Sequence, residues 1–158
     1  MKISSSNNNQ KNTLIAGLGN TLLSDEGVGV KIITTLNNRG AIPENIVLLD
    51  GGTAGYTLID CMKDFERLII IDAVRGGDKP GTVYCFTFED IINKPSLKLS
   101  GHQIDLTEVL LLADKLGELT ETILIGIEPE NMEYGEELSL SVKNATGCAI
   151  KEIERLIL

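Results

Sequence analysis

Long apolar runs are missing from this chain of 158 residues. A helix needs about 20 consecutive apolar residues to cross a bilayer, and no stretch approaches that length. Basic clusters are missing too. Lys and Arg number 14 against 23 Asp and Glu, for a net charge of -9. A generic nucleic-acid binder needs a basic stripe to displace counterions, so that class is excluded. Cysteine is scarce and odd in number: Cys61, Cys85 and Cys148, with wide spacings and no CxxC. A disulfide framework or a structural zinc knot is therefore not expected. Cys61 and Cys148 fall in helical patterns and Cys85 in a strand pattern, which predicts three small buried hydrophobes. No neighbour marks any of them as an activated thiol. The chain has one histidine, His102, and Ser24 lacks the surroundings of a catalytic triad. Residues 1–12 are polar and low in complexity, without the apolar middle of a signal peptide. They read as a disordered tail. A cytoplasmic protein with neither membrane nor nucleic-acid partner is expected.

Four short apolar runs follow the tail. They are Leu14-Ile15-Ala16, Ile46-Val47-Leu48-Leu49, Leu68-Ile69-Ile70-Ile71 and Ile123-Leu124-Ile125-Gly126-Ile127. Each is rich in β-branched or other strand-compatible residues and does not alternate with polar ones. That is the pattern of parallel strands buried on both faces. Helical stripes lie between them: Gly29, Ile32, Ile33 and Leu36; Leu106, Val109, Leu110 and Ala113; Val142, Ala145, Ala149, Ile153 and Leu156. A shorter helix is expected over Tyr56 to Lys63. Strands alternating with helices predict an α/β sandwich with helices on both sheet faces. The segment Thr82 to Phe88 reads as one more strand. Only a short loop separates it from the run before, too short for a parallel crossover, so it should run antiparallel. No linker divides the chain, and residues 13–158 are expected to form a single domain.

The stretch from Gly17 to Val30, GLGNTLLSDEGVGV, carries the strongest signal. A Gly-rich turn between a strand and a helix usually grips a phosphate through backbone N–H groups. Here the turn ends in Asp25 and Glu26, which repel anions and attract cations. The third glycine of the dinucleotide fingerprint is replaced by Leu22. Two later runs also end in acids, Asp50 and Asp72. Ligands of open α/β sheets bind beyond the carboxyl ends of the strands, where the strand order reverses. If the first and third strands are neighbours, Glu26 and Asp72 face one crevice. With His102 they make a mixed oxygen and nitrogen set that suits nickel or zinc with positions left open. Each residue taken singly has a plainer reading. Acids at helix starts complement the dipole, Asp50-Gly51 is a common turn, and a loop histidine is usually solvated or hydrogen-bonded. Asp72 is the exception. A carboxylate directly after an isoleucine run is partly buried and needs a partner.

In these segments the chain resembles the nickel-iron hydrogenase maturation endopeptidases, which trim the C-terminus of the hydrogenase large subunit. The matching pieces are Gly17 to Asn20, Asp25 to Val30, Asp50-Gly51-Gly52-Thr53-Ala54-Gly55, Leu68 to Ala73, Pro80-Gly81-Thr82, His102-Gln103 and Gly126 to Glu130. The ordered series runs from about Leu14 to the end. The resemblance implies a mixed five-stranded sheet with one antiparallel strand. It implies that Glu26, Asp72 and His102 bind metal and take part in the reaction, and that Asp50 belongs to a signature whose role is catalytic or confined to its turn. It also implies a partner, the large-subunit precursor. Nickel would arrive carried by that precursor, with other divalent ions occupying the same residues in isolation. The loops Ala73 to Lys79 and Asn93 to Gly101 would form the substrate surface. Two other readings stay open. One is a nucleotide-binding α/β protein, supported by Gly17-Leu18-Gly19. The other is an escort that holds the same precursor without cutting it.

Overall fold

The computed structural model describes residues 12–94, 97–99 and 105–158. The expected tail, apart from Asn12, lies outside the described residues, and so does His102. The elements are β1 Thr13–Leu18, a 3-10 turn Ser24–Gly27, α1 Val28–Arg39, β2 Ile46–Gly52, α2 Thr57–Met62, β3 Arg67–Arg75, β4 Val83–Thr87, α3 Phe88–Ile92, β5 Lys98–Leu99, α4 Leu106–Lys115, β6 Glu121–Ile127 and α5 Leu140–Ile157.

The main sheet has the order β2-β1-β3-β6-β4. β1 pairs in parallel with β2 and with β3, and β3 pairs in parallel with β6. β4 runs antiparallel to β6. This is the mixed five-strand path expected, with the reversed strand where the short loop required it. β5 is an addition, two residues antiparallel to the end of β3. A piece that short leaves no periodicity to read in sequence.

The two faces of β3 explain its unbroken isoleucine run. Leu68, Ile70 and Val74 pack into the cluster built by α2, α3 and α4. Ile69, Ile71 and Ala73 pack into the one built by α1 and α5. A strand covered by helices on both sides has no polar face to alternate with. β2 departs from that pattern. It pairs on one side only, and Val47 is 46% exposed, so the expectation that all four runs are buried on both faces fails at the sheet edge. The cysteines are a second correction, since all three are exposed. Cys85 sits on the outer strand β4, and Cys61 and Cys148 sit on outward flanks of their helices, so helical or strand periodicity alone misplaced them. Nor does the strand continue through Phe88. Thr87 and Asp90 form a reciprocal capping box there and start α3. Among the described residues, no helix is long and apolar enough to cross a membrane.

Close backbone contact sets the start of α1. A Cβ on Gly29 would lie 2.2 Å from the Ile71 carbonyl oxygen and 2.4 Å from that of Leu18. One on Gly17 would lie 2.3 Å from the Gly29 oxygen. The first turn of α1 thus rests directly on the main chain of β1 and β3. The acidic turn before it is brought to the carboxyl ends of the same two strands.

Candidate active site

The loop after β1 folds back on itself. Gly19 has φ +131°, and a Cβ there would fall 1.8 Å from the Glu26 carbonyl oxygen. Ser24 adopts φ 52°, an uncommon conformation for a residue other than glycine. It is held from outside the turn: its N–H donates to the Gly135 oxygen at 2.8 Å and its Oγ to the Glu133 oxygen at 2.8 Å. Glu26 on this turn is 4% exposed, and Asp72 near the end of β3 is 0% exposed. Because β1 and β3 are neighbours, the condition set by the sequence is met. The Glu26 turn packs against the end of the strand that carries Asp72. By strand alternation Asp72 shares the face of Ile70 and Val74, toward α2 and α4. Its Oδ1 accepts from the Ala73 N–H at 2.8 Å.

Asp50 is placed differently. It is exposed, on edge strand β2, and pairs with Gly17 on β1, which pairs in turn with Ile71 on β3. Two strand spacings separate it from β3, about 10 Å. Its Oδ1 accepts from the Gly52 N–H at 3.0 Å, and Gly52 has φ +47°. The carboxylate therefore supports its own turn. Among the described residues no three His, Cys, Asp or Glu side chains come together as a metal-holding group. Glu26 and Asp72 account for two of the three expected donors. The third, His102, lies outside the described residues.

A second pair of acids, Glu128 and Asp78, lies outside the site residues that the sequence singles out. Glu128 follows β6 directly and is buried, at 7% exposure. Its Oε2 accepts from the Gly76 N–H at 2.7 Å and from the Tyr84 hydroxyl at 2.8 Å. The same hydroxyl lies 2.9 Å from Asp78 Oδ2. These bonds tie the loop after β3 to the end of β6. The signal was readable, because an acid immediately after an apolar run is the feature that singled out Asp72. Burial, followed by the bonds to Glu128 and Asp78, pushes the Tyr84 phenol well above its ordinary 10.0. The folded protein then holds this proton more tightly than the unfolded chain, so stability should fall as pH climbs past about 10. Tyr84→Phe should flatten that fall, read as urea midpoints at about pH 8 and about pH 10.5. An equal drop in both proteins would remove Tyr84 as the cause.

Several of the loop N–H groups are committed to the protein itself. Gly19 N donates to the Gly52 oxygen, Leu22 N to Asn20 Oδ1, Leu23 N to the Asn20 oxygen, and Asp25 N to the Asn131 oxygen. The glycine turn is thus spent on internal bonds and on two buried acids.

The layered α/β sheet, with two buried acids near the carboxyl ends of β1 and β3, is the fold of solved hydrogenase maturation proteases. A profile of the hydrogenase maturation protease family matches residues 30–156, and the chain belongs to that family. It is 35% identical over 142 residues to the hydrogenase 2 maturation protease of Escherichia coli strain K12, covering 89% of this chain and 87% of that protein. It is 35% identical over 140 residues to the hydrogenase expression/formation protein HupD of Bradyrhizobium diazoefficiens, covering 87% and 73%. In three dimensions it is similar to the [NiFe] hydrogenase maturation protease HybD from Thermococcus kodakarensis, with a TM-score of 0.77 at 32% identity, covering 92% of this chain and 99% of that one. The E. coli endopeptidase HybD gives 0.80 at 35% identity, covering 89% and 88%.

Proposed function

We propose that this chain is the endopeptidase that removes the C-terminal extension of a nickel-iron hydrogenase large-subunit precursor once nickel has been inserted. Glu26, Asp72 and His102 recognise the metal. The observation that carries this reading is the pair of buried carboxylates, from separate elements, at the shared end of β1 and β3. Carboxylate oxygens are donors that a divalent cation accepts. A cation arriving with the substrate would find two such donors at this rim.

His102 completes the donor set on this reading, and the flanking elements favour it. β5 runs back along β3 from Arg75 to Val74, toward Asp72. The chain then enters α4, on the face that Asp72 shares.

Hydrolysis adds water across one amide. The water oxygen joins the carbonyl carbon, and a proton goes to the leaving nitrogen. Glu26 is the candidate base that takes the first proton. Nickel held by the precursor supplies polarisation of the nearby carbonyl. Asp50 acts through its turn.

Internal bonds of the Gly19, Leu22, Leu23 and Asp25 N–H groups disfavour a nucleotide cradle. A non-cutting escort would use the same three residues and is separated by product. After incubation of the nickel-loaded precursor with the protein, mass spectrometry should show the large subunit shortened by one C-terminal peptide. An intact precursor in a stable complex would select the escort instead.

A further inference from the structure

Asp25 has no part in the activity just proposed, yet it is 0% exposed and accepts four hydrogen bonds. Oδ2 accepts from the N–H groups of Glu130 at 2.9 Å and Asn131 at 2.8 Å, and from Ser139 Oγ at 2.8 Å. Oδ1 accepts from the Ser139 N–H at 2.7 Å. All of these donors lie on the segment between β6 and α5. The Asp25 N–H returns the contact, donating to the Asn131 oxygen at 3.0 Å. A four-residue 3-10 turn has little rigidity of its own, and this one has no side-chain cap. Its placement is imposed from outside, and Asp25 supplies a large share of that constraint.

We propose that Asp25 is a positioning residue: by stapling the turn to the 130–139 segment, it fixes where the adjacent Glu26 carboxylate points. The inference rests on the reading of Glu26 as a site residue. Its physical basis is the steep dependence of catalysis on geometry. A displacement of about 1 Å in a reacting group costs about 100-fold in rate. Bonds from the 130–139 segment restrict such drift better than the turn's own backbone does.

The test uses the full chain and the nickel-loaded precursor. Asp25→Asn keeps the shape but sets an amide against a ring of donors. In the folded fraction it should lower kcat by about tenfold to 100-fold, with KM changed less than about threefold. Ser139→Ala removes only the hydroxyl donor, leaves the main-chain bonds, and should lower kcat in the same direction by a few-fold. This second variant keeps the proposal testable where Asp25→Asn does not fold. A wild-type kcat per folded molecule in the variants, with only stability reduced, overturns the positioning role. Glu26→Gln run beside them separates the two claims. Full activity in Glu26→Gln strikes the reading of that residue, whereas an inactive Glu26→Gln beside a normal Asp25→Asn strikes the positioning role alone.

Discussion

Gly29→Ala should lose about 2–4 kcal/mol of folding stability, even though alanine is the better helix former. Helix propensity favours the change by about 1 kcal/mol. Packing opposes it by more. The new methyl would sit 2.2 Å from the Ile71 oxygen, 2.4 Å from the Leu18 oxygen and 2.9 Å from the Leu18 nitrogen. All three are main-chain atoms in neighbouring strands. They cannot rotate away as the end of a flexible side chain could. Relief requires α1 to lift from the sheet by about 1 Å, which opens the apolar layer beneath it and moves the Glu26 turn. Gly147→Ala is the matched control. That residue lies inside α5 with nothing within 4 Å of its Cβ position, so the same change there should stabilise by about 0.5–1 kcal/mol. Urea midpoints should therefore move in opposite directions. A Gly29→Ala protein as stable as wild type would disprove the close helix-to-sheet contact.

The glycines show why some of the site was legible in the sequence and some was not. Gly17, Gly19 and Gly29 repeat around a strand end, so the turn and the helix after it could be read directly. Glu26 and Asp72 could be paired on the condition that the strand order reverses between β1 and β3, which makes them neighbours. The antiparallel β4 followed from loop length alone. The hidden parts depend on contacts far apart in sequence. Asp25 looked like an ordinary acid at a helix start. Its partners Glu130, Asn131 and Ser139 lie more than 100 residues away, and their donors are mostly backbone groups, which carry no sequence signature. Tyr84 and Glu128 meet for a similar reason: β4 and β6 pair although α4 intervenes in the chain. The exposed Cys85 shows a different limit. Periodicity reports which face a residue shares, but it does not report whether a strand lies at the edge.

Glu26→Gln and Asp72→Asn should each slow precursor processing by about 1000-fold or more while leaving the fold intact. Both changes preserve volume, so neither opens a cavity. In Asp72→Asn the side-chain oxygen can still accept from the Ala73 N–H, the bond that Oδ1 makes now. Each substitution also removes one of two buried negative charges placed at the same rim. Each amide keeps the shape and one accepting oxygen, so stability without metal should change by less than about 2 kcal/mol. That combination separates these acids from Asp25, whose replacement breaks bonds that hold the turn. It separates them from Asp50 as well. An asparagine there can keep the Gly52 bond through its oxygen, so Asp50→Asn should slow processing by less than about tenfold. His102→Ala should match Glu26→Gln in activity if the imidazole supplies the third donor. Mass-spectrometric time courses give the rates, and urea denaturation gives the stabilities. Wild-type processing by both carboxylate variants would refute the proposed chemistry. A stability loss large enough to explain the missing activity would return both residues to a structural role. The expected pattern, activity lost and stability largely kept, follows if the two carboxylates serve a cation that the substrate brings.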